Sequence, residues 1–398
     1  MRMIILLALI AASAVSVIGQ PARRTTMNMK VFETVWSTVN KEFYDPNFNG
    51  VDWKAAHEKY APLARAAASD DELYKTIMEM LGLLKVSHVE AGPASAVKTV
   101  TSKPSTVGIG LRMVEGKLTI TRIVPRFPAE HAGVRTGFIV TAIDGKTVAS
   151  IDEAKKLLAG EAGSTVRITF LDNIGEREIA LERQSLAPKD GGKMAGLNFY
   201  ALFDSKIVEG DIGYISFTSF VPFLNEQIHS AMTSMKNAPG MVLDLRGNGG
   251  GDDNVALGIA NRLFAKQTLL MVTRRRTYED NYYKTKPVKY PYLGKLVVLI
   301  DEFSGSATEQ LAAGLQESGR AYVIGTKSAG EDLDANIKML PDGGMLVYAY
   351  GLPHTPKGFI IEGRGVIPDQ VVELKRADLL AGHDTQLDAA IAYLRGRN

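Results

Sequence analysis

A serine lies where a predicted buried strand changes into a predicted helix. Residues 301–310 read DEFSGSATEQ, after the apolar run KLVVLI (295–300) and before LAAGLQ (311–316). Ser306 and Glu309 fit the S-x-x-E pattern of a capping box, in which both side chains bond backbone amides. A serine here can also be a nucleophile, because the amides and positive dipole end of its own helix stabilise a developing oxyanion. The stretch alone leaves both roles open.

A nucleophilic serine needs a second group that accepts its proton. Histidine is the commonest such base, and its unperturbed pKa is about 6.5. Among the six histidines, His88 follows Ser87 at the end of a helical region, and His354 follows Pro353 in a loop. Glu362, between apolar residues and a Gly-rich turn, is a carboxylate that could orient a histidine. The two histidines and Glu362 could also have only structural roles, since acidic residues in turns are mostly solvated and single histidines are usually structural.

A glycine-rich loop supplies candidate oxyanion donors. The stretch LDLRGNGGGDDN (243–254) follows an apolar run, and its three consecutive glycines, Gly249 to Gly251, leave backbone amides unshielded. Such a loop can form a nest for a phosphate or an oxyanion. It is not a phosphate-binding P-loop, because no G-K-[ST] follows. A tight turn without function is the alternative.

The composition narrows the class of protein. The chain has 398 residues, of which 45% are hydrophobic and 23% charged, and its net charge is +2. These values indicate a globular protein of two or three domains, with no nucleic acid partner, and the basic clusters at 23–24 and 274–276 are interpreted as solvated faces. Cysteine is absent, which excludes disulfides, thiol catalysis and cysteine-ligated metals. The sequence predicts neither a metal nor a cofactor.

The first nineteen residues predict a secretory signal peptide. A basic residue at Arg2 precedes an apolar run from Met3 to Ala12, and small residues follow up to Gly19. The run is short for a spanning helix, so no stable membrane insertion is predicted. We expect a protein exported to the periplasm or the exterior, with an uncleaved membrane anchor as the alternative.

Three further regions follow the signal peptide. Residues 25–97 have the spacing of a small helical bundle, and 104–185 read as short strands around one helix at 151–160. Residues 190–398 alternate strands and helices, which predicts an α/β core. The bundle residues that we expect to face a core are Val31, Val35, Val39, Phe43, Trp53, Ala56, Tyr60, Leu63, Leu73, Ile77 and Leu81.

Together these stretches resemble the C-terminal processing and tricorn-core family of serine peptidases. VWSTVNKEFYDPNFNGVDW resembles its N-terminal helical region, and STVGIGLRM with PAEHAGVRTGFIVTAIDGKTV resembles a PDZ domain. LDLRGNGGG, SGSATEQLAAGLQESGRAYVIGTKSAGE and EGRGVIPD resemble the peptidase core in the same order. The resemblance implies a crotonase-like and ClpP-like ββα peptidase core with an inserted, mostly β PDZ-like domain. It also implies endoproteolysis by a serine nucleophile.

The resemblance assigns roles within the candidate site. Ser306 matches the family nucleophile. The processing branch places a lysine base directly after its G-x-x-[ST]-x-G turn, but here that residue is Glu331. The tricorn-like branch uses a serine–histidine pair and a late glutamate, which Ser87, His88 and Glu362 match. In this reading His88 takes the proton from Ser306 and the other two orient the site. The amides of Gly250 and Ala307 would bind the oxyanion, with Gly249 or Gly251 able to replace Gly250.

The PDZ-like region predicts recognition of apolar C-termini. The turn at Gly108, Ile109, Gly110 and Leu111 precedes a predicted edge strand, whose amides can capture a terminal carboxylate while the strand pairs with a peptide. Expected partners are therefore protein or peptide substrates with free C-termini, and an oligomer is left open. Two alternatives remain: a catalytically inactive peptide-binding protein, and a non-proteolytic acyl hydrolase on the same fold.

Overall fold

The computed structural model describes residues 11–101, 104–186, 190–194 and 197–396. The helices, in chain order, are α1 (Ala11–Glu42), α2 (Trp53–Ala66), α3 (Asp70–Leu81), α4 (Ala94–Thr101), α5 (Pro128–His131), α6 (Ile151–Leu158), α7 (Asn225–Ser234), α8 (Asp253–Ala260), α9 (Ala307–Glu317), α10 (Arg376–Leu380) and α11 (Thr385–Leu394). The strands are β1 (Glu90–Gly92), β2 (Ser105–Thr106), β3 (Ile109–Val114), β4 (Lys117–Ile123), β5 (Ile139–Ile143), β6 (Lys146–Thr147), β7 (Thr165–Leu171), β8 (Glu176–Glu182), β9 (Gln184–Ser185), β10 (Gly191–Met194), β11 (Leu197–Tyr200), β12 (Phe203–Val208), β13 (Ile212–Phe217), β14 (Gly240–Asp244), β15 (Leu269–Arg275), β16 (Asn281–Lys284), β17 (Lys295–Ile300), β18 (Tyr322–Gly325), β19 (Asp334–Met339), β20 (Met345–His354) and β21 (Gln370–Val371).

The chain divides into two compact units, each built from separate segments. The helical unit comprises the chain up to Thr101, with Met271–Tyr282 and Glu331–Gly363, and the core unit comprises the rest. The sequence had predicted one uninterrupted peptidase core over 190–398. That boundary needs correction, because two segments of this range fold with the N-terminal helices, where β20 pairs with β1, β15 and β19. Pairing between distant strands overrides proximity along the chain.

The helical unit is organised around the predicted apolar faces. Val31, Val35 and Val39 are fully buried, and α3 begins after Ser69, whose hydroxyl accepts from the Glu72 amide at 3.2 Å. One predicted core position is wrong: Leu63 is 51% exposed. Its neighbour Ala64 is fully buried instead, because a shift of one residue turns a helical side chain by about 100°.

The N-terminal segment is helical as far back as the structure describes it. The helix predicted from residue 31 begins at Ala11 and ends at Glu42. Residues 1–10 of the predicted signal peptide lie outside the described residues. No helix in the described part of the chain is both long enough and apolar enough to cross a membrane.

The core unit contains a six-stranded sheet in the order β12-β13-β14-β17-β18-β21. From β13 onward the strands run parallel. Four of them contain the apolar runs GYISF, GMVLD, KLVVLI and YVIG, which confirms the predicted α/β core. Such strands are buried on both faces and therefore read as continuous apolar runs. The carboxyl ends of β14, β17 and β18 are neighbours, so the loops that follow them meet at one sheet edge.

A second sheet in the core unit forms the mostly β region. Its order is β3-β4-β5-β7-β8, with β6 beside β5, and α6 packs against β3 and β5. Among the described strands, β3 pairs only with β4. It is therefore an edge strand, as the sequence predicted.

Candidate active site

The candidate nucleophile lies on a strained turn between β17 and α9. Ser306 has φ +55° and ψ −127°, a backbone region that costs a non-glycine residue about 1–3 kcal/mol. Asn248, fully buried, holds the turn: its carbonyl accepts from the Gly305 amide at 3.1 Å and from the Thr308 hydroxyl at 2.8 Å. Its side-chain amide donates to the Phe217 carbonyl at 3.1 Å. The surrounding loops thus impose the conformation of Ser306.

Glu309 connects this turn to the loop after β18. The fully buried carboxylate accepts from the Ser306 amide at 3.2 Å, from the Ser328 hydroxyl at 2.5 Å and from the Gly330 amide at 2.7 Å. Ser328 in turn accepts from the Val366 amide at 2.6 Å. The glutamate half of the predicted capping box therefore exists, and the same carboxylate also fixes a second active-site loop. The spacing G-x-x-S-x-G of 325–330 was the only local signal for Ser328.

The glycine loop approaches the nucleophile closely. A Cβ atom at Gly250, whose φ is +102°, would lie 2.6 Å from the Ser306 Cβ and 2.8 Å from the Gly305 carbonyl oxygen. Any larger residue at 250 would displace the turn that carries Ser306. The loop and the nucleophile turn are thus packed backbone to backbone.

Two amides near Ser306 are available to bind an oxyanion. Within the described residues, the N–H groups of Ala307, at the first position of α9, and of Gly249, in the exposed part of the loop, have no hydrogen-bond acceptor. The predicted Gly250 amide instead donates to Asn248 Oδ1 at 2.9 Å. In this conformation the Gly250 amide is therefore satisfied by its own loop, and Gly249, one of the alternatives that the sequence left open, is the candidate donor. Ala307 keeps the predicted position.

In the helical unit, Ser87, His88 and Glu362 form a hydrogen-bonded chain. Ser87 Oγ lies 2.9 Å from Glu362 Oε2 and 2.7 Å from His88 Nδ1. A carboxylate can only accept, so the single hydroxyl proton of Ser87 goes to Glu362. We infer that Nδ1 of His88 carries a proton and donates to Ser87 Oγ. A neutral imidazole in this tautomer has an unprotonated Nε2, which is the state that a general base requires.

Backbone contacts hold this chain in place. Glu362 Oε1 accepts from the Ser87 amide at 2.8 Å, and Oε2 accepts from the Asp332 amide at 2.8 Å. His88 itself has φ +55°, a conformation that non-glycine residues rarely adopt. Strain at His88 and at Ser306 is the pattern that functional sites show when the surrounding structure determines the backbone.

Two other histidines and Lys327 have different surroundings. His354 Nδ1 donates to the Thr355 carbonyl at 2.8 Å, and His57 Nε2 lies 2.9 Å from Glu33 Oε1. Lys327 is exposed in its loop, so water solvates its ammonium group. Within the described residues, no group of His, Asp and Glu side chains could hold a metal ion.

The candidate peptide-binding turn lies at the start of the edge strand. The Gly108 amide donates to the Thr106 hydroxyl at 3.0 Å, and a Cβ at Gly108 would lie 2.2 Å from Phe127 Cβ. Ile109 and Leu111 are half-buried. Arg112 does not face this turn: its guanidinium pairs with Glu302 and lies 3.5 Å from Asp301.

A cavity of about 830 Å³ joins this edge to the loops of the core unit. Residues 109–112 line one side, and Gly247 and Phe303, which precede the glycine loop and the nucleophile, line the other. Asp301 and Asp244 also line it. Burial raises the pKa of Asp301, whereas the Arg246 guanidinium overcomes the opposing effect of burial and lowers the pKa of Asp244.

Comparison with known proteins identifies the peptidase core. Residues 211–372 match the model of peptidase family S41. These residues are therefore similar to the core of the serine peptidases of family S41. Residues 27–82 match the tricorn protease C1 domain and 119–172 match a PDZ domain, which lies inside the predicted 104–185. The three matches fall in the three regions that the sequence resemblance implied.

Several proteins similar to this chain share most of its length. The carboxyl-terminal-processing protease of Synechocystis sp. is 28% identical, over 93% of this chain and 88% of the relative. The chloroplastic C-terminal processing peptidase of Tetradesmus obliquus is 27% identical, over 88% and 78%. Among solved structures, the photosystem II D1 C-terminal processing protease has a TM-score of 0.62 at 24% identity, over 92% of this chain and 97% of that one. Mature CPAF has a TM-score of 0.61 at 12% identity, over 93% and 97%. The structural matches confirm the fold, a mixed α/β core with N-terminal helices and a PDZ domain.

The strain at Ser306 predicts an unusual order of stability. Ser306→Gly should unfold with a higher free energy than Ser306→Ala, by about 1 kcal/mol, because glycine adopts positive φ without a Cβ clash. Urea unfolding of both variants measures the difference. At the exposed helical position Ser230, the same pair should show the opposite order, since glycine costs about 1 kcal/mol against alanine inside a helix. The same order at both positions would contradict the strain.

Proposed function

We propose that the protein is an exported serine endopeptidase in which Ser306 attacks and His88 is the general base. Ser306 Oγ bonds to the carbonyl carbon of the scissile peptide while its proton passes to His88 Nε2. The same proton then goes to the leaving amine, which leaves an ester on Ser306. A water molecule, deprotonated by His88, hydrolyses this ester and regenerates both groups.

The tautomer of His88 carries this proposal. Ser87 and Glu362 act as positioning residues: their hydrogen bonds leave a proton on Nδ1 and the acceptor lone pair on Nε2. Glu362 would also stabilise the imidazolium that forms during attack. The amides of Ala307 and Gly249 would stabilise the tetrahedral oxyanion, at the dipole end of α9.

A serine-directed fluorophosphonate probe tests the proposal directly. We expect Ser306 to be labelled in the wild-type protein, and no labelling in Ser306→Ala. Absence of labelling in the wild type would favour the alternative of an inactive peptide-binding protein. Turnover of acyl thioesters without cleavage of any peptide would favour the acyl hydrolase.

We further propose that the PDZ-like domain recruits apolar C-termini of substrates. An added peptide would pair with the open edge of β3, beside Ile109 and Leu111, with its carboxylate at the turn around Gly108. The cavity lined by residues 109–112, Gly247 and Phe303 supports a path from this edge toward the nucleophile turn.

Recognition of the terminal carboxylate predicts a dependence on the chemical form of the substrate end. A peptide ending in a free apolar residue should bind at least tenfold more tightly than its C-terminal amide, because the amidated end lacks the carboxylate to which the N–H groups of the turn would donate. Fluorescence anisotropy on the Ser306→Ala protein measures both affinities without cleavage. Equal affinities would remove the recruiting role of the domain.

The proposal of export rests on the predicted signal peptide in the first nineteen residues. Removal of this peptide would shorten the chain. We expect the mature protein to begin near Val15 or Gln20, after removal of the charged and apolar segment. N-terminal sequencing of the exported protein checks this. An intact Met1 in a membrane fraction would favour the uncleaved anchor.

A further inference from the structure

A lysine-rich surface of the core unit lies outside everything assigned so far. Two segments, 261–268 and 283–300, contain no Asp or Glu, although the chain has 44 acidic residues. Five exposed lysines project from them, which we call the lysine face: Lys266, Lys284, Lys286, Lys289 and Lys295. The near-neutral net charge of the chain thus conceals a local positive excess.

The two segments run side by side and are held by hydrogen bonds. The Thr285 amide donates to the Thr268 carbonyl at 2.9 Å, and the Val288 amide donates to the Asn261 carbonyl at 3.1 Å. The Thr285 hydroxyl donates to the Lys266 carbonyl at 3.3 Å. The lysines of both segments therefore belong to one ordered surface.

Apolar side chains accompany the lysines on this surface. Tyr290 is 77% exposed and Leu293 is 62% exposed, and the Lys289 ammonium lies 5.1 Å from the centre of the Tyr290 ring. Both apolar side chains belong to the segment 283–300, which also carries four of the five lysines. Tyrosine prefers the boundary between water and an apolar phase, because its ring is apolar and its hydroxyl is polar.

We propose that the lysine face binds the surface of an anionic lipid bilayer. Lysines near such a surface each contribute to binding through its negative potential, while Tyr290 and Leu293 would enter the headgroup region. The exposed cations are all lysines, which act as point charges toward a diffuse field. A nucleic acid surface would favour the planar fork of arginine, which pairs with phosphate at two points. The association is peripheral and does not depend on the proposed catalytic groups.

Sedimentation with vesicles tests this surface on the full-length chain. We expect binding to vesicles of phosphatidylcholine mixed with phosphatidylglycerol, and at least tenfold weaker binding to phosphatidylcholine alone. Because bound charges are screened, high salt should release the protein from the anionic vesicles. The apolar N-terminal segment, with Arg2, can bind vesicles as well, so the contribution of the lysine face is measured by charge variants that leave this segment unchanged.

Matched variants distinguish binding through the lysine face from an effect of the protein's net charge. Lys286→Glu with Lys289→Glu should lower the binding to anionic vesicles at least tenfold, whereas Lys54→Glu with Lys59→Glu, at exposed positions of α2, should change it less than twofold. Tyr290→Ser with Leu293→Ser should also weaken the binding to anionic vesicles at low salt. Cleavage of a soluble peptide should be unchanged in all of these variants.

Three results would overturn the proposal. The first is an intact protein that stays in the supernatant with anionic vesicles. The second is equal loss of binding in both lysine pairs, which would mean that only net charge matters. The third is displacement from vesicles by a single-stranded oligonucleotide that binds more tightly and ignores the Tyr290 and Leu293 substitutions, which would identify a nucleic acid surface instead.

Discussion

His88→Ala should abolish peptide cleavage as completely as Ser306→Ala, with a loss in kcat of roughly 10⁴ or more. In the proposed mechanism both residues belong to one proton-transfer unit, so removing either would leave only binding and oxyanion stabilisation. Lys327→Ala should remain within about twofold of the wild type, because its side chain is exposed in the loop after β18 and has no role in the proposed mechanism. Steady-state cleavage of a fluorogenic peptide from pH 5 to 10 measures all three variants.

The orienting residues should show intermediate losses in the same assay. Glu362→Gln retains the size of the side chain but can donate to Ser87 Oγ, which disturbs the tautomer of His88, and it should cost less than His88→Ala. His57→Ala is a suitable control, because this histidine pairs with Glu33 in the helical bundle. Loss of activity in Lys327→Ala with activity preserved in His88→Ala would contradict the histidine base and favour a serine–lysine pair.

The second large effect is expected at Glu309, which touches no substrate in the proposed mechanism. Glu309→Gln should lower kcat about 10²-fold with KM changed less than about threefold, because a small misplacement of a reacting atom has an effect of this size. Glutamine offers one acceptor oxygen, while the three donors bonded to Glu309 occupy both carboxylate oxygens. Its amide nitrogen must therefore face another donor.

A control distinguishes positioning from a loss of folding. Unfolding by urea should show that Glu309→Gln is less stable by about 1–3 kcal/mol, since a buried donor loses its acceptor. Glu226→Gln, at an exposed position of α7, should leave both stability and kcat unchanged. If Glu309→Gln loses stability but keeps the wild-type kcat at a temperature where it is folded, Glu309 supports the fold without positioning Ser306.

Local patterns predicted the elements better than the connections between them. The run KLVVLI is a strand over the predicted residues, and Ser69 caps α3 as its position indicated. Leu63 was misplaced because two neighbouring apolar residues, Leu63 and Ala64, both fit a helical spacing. Periodicity alone cannot choose between such neighbours.

The long-range parts of the site had weaker signals. Glu309 could be predicted as a cap, but its bonds to Ser328 and Gly330 arise only when β17 and β18 are paired. No sequence pattern indicated a role for Asn248 beyond its place in a glycine loop, yet its side-chain oxygen accepts a hydrogen bond from the Gly250 amide. These assignments depend on which loops meet at the sheet edge, and no local spacing encodes that.

The strained backbone at Ser306 also affects how such a peptidase can change over evolutionary time. Replacing this serine by glycine would remove the proposed nucleophile and relieve backbone strain in the same step, so loss of the proposed catalysis would be accompanied by a gain in folding stability. Selection for stability alone would therefore favour inactive descendants, and only selection for cleavage retains the serine. Because the edge of β3 and its peptide turn are formed by other residues, such a descendant would keep the structural basis for peptide binding. The change from a peptidase to a binding protein would thus increase the free energy of unfolding.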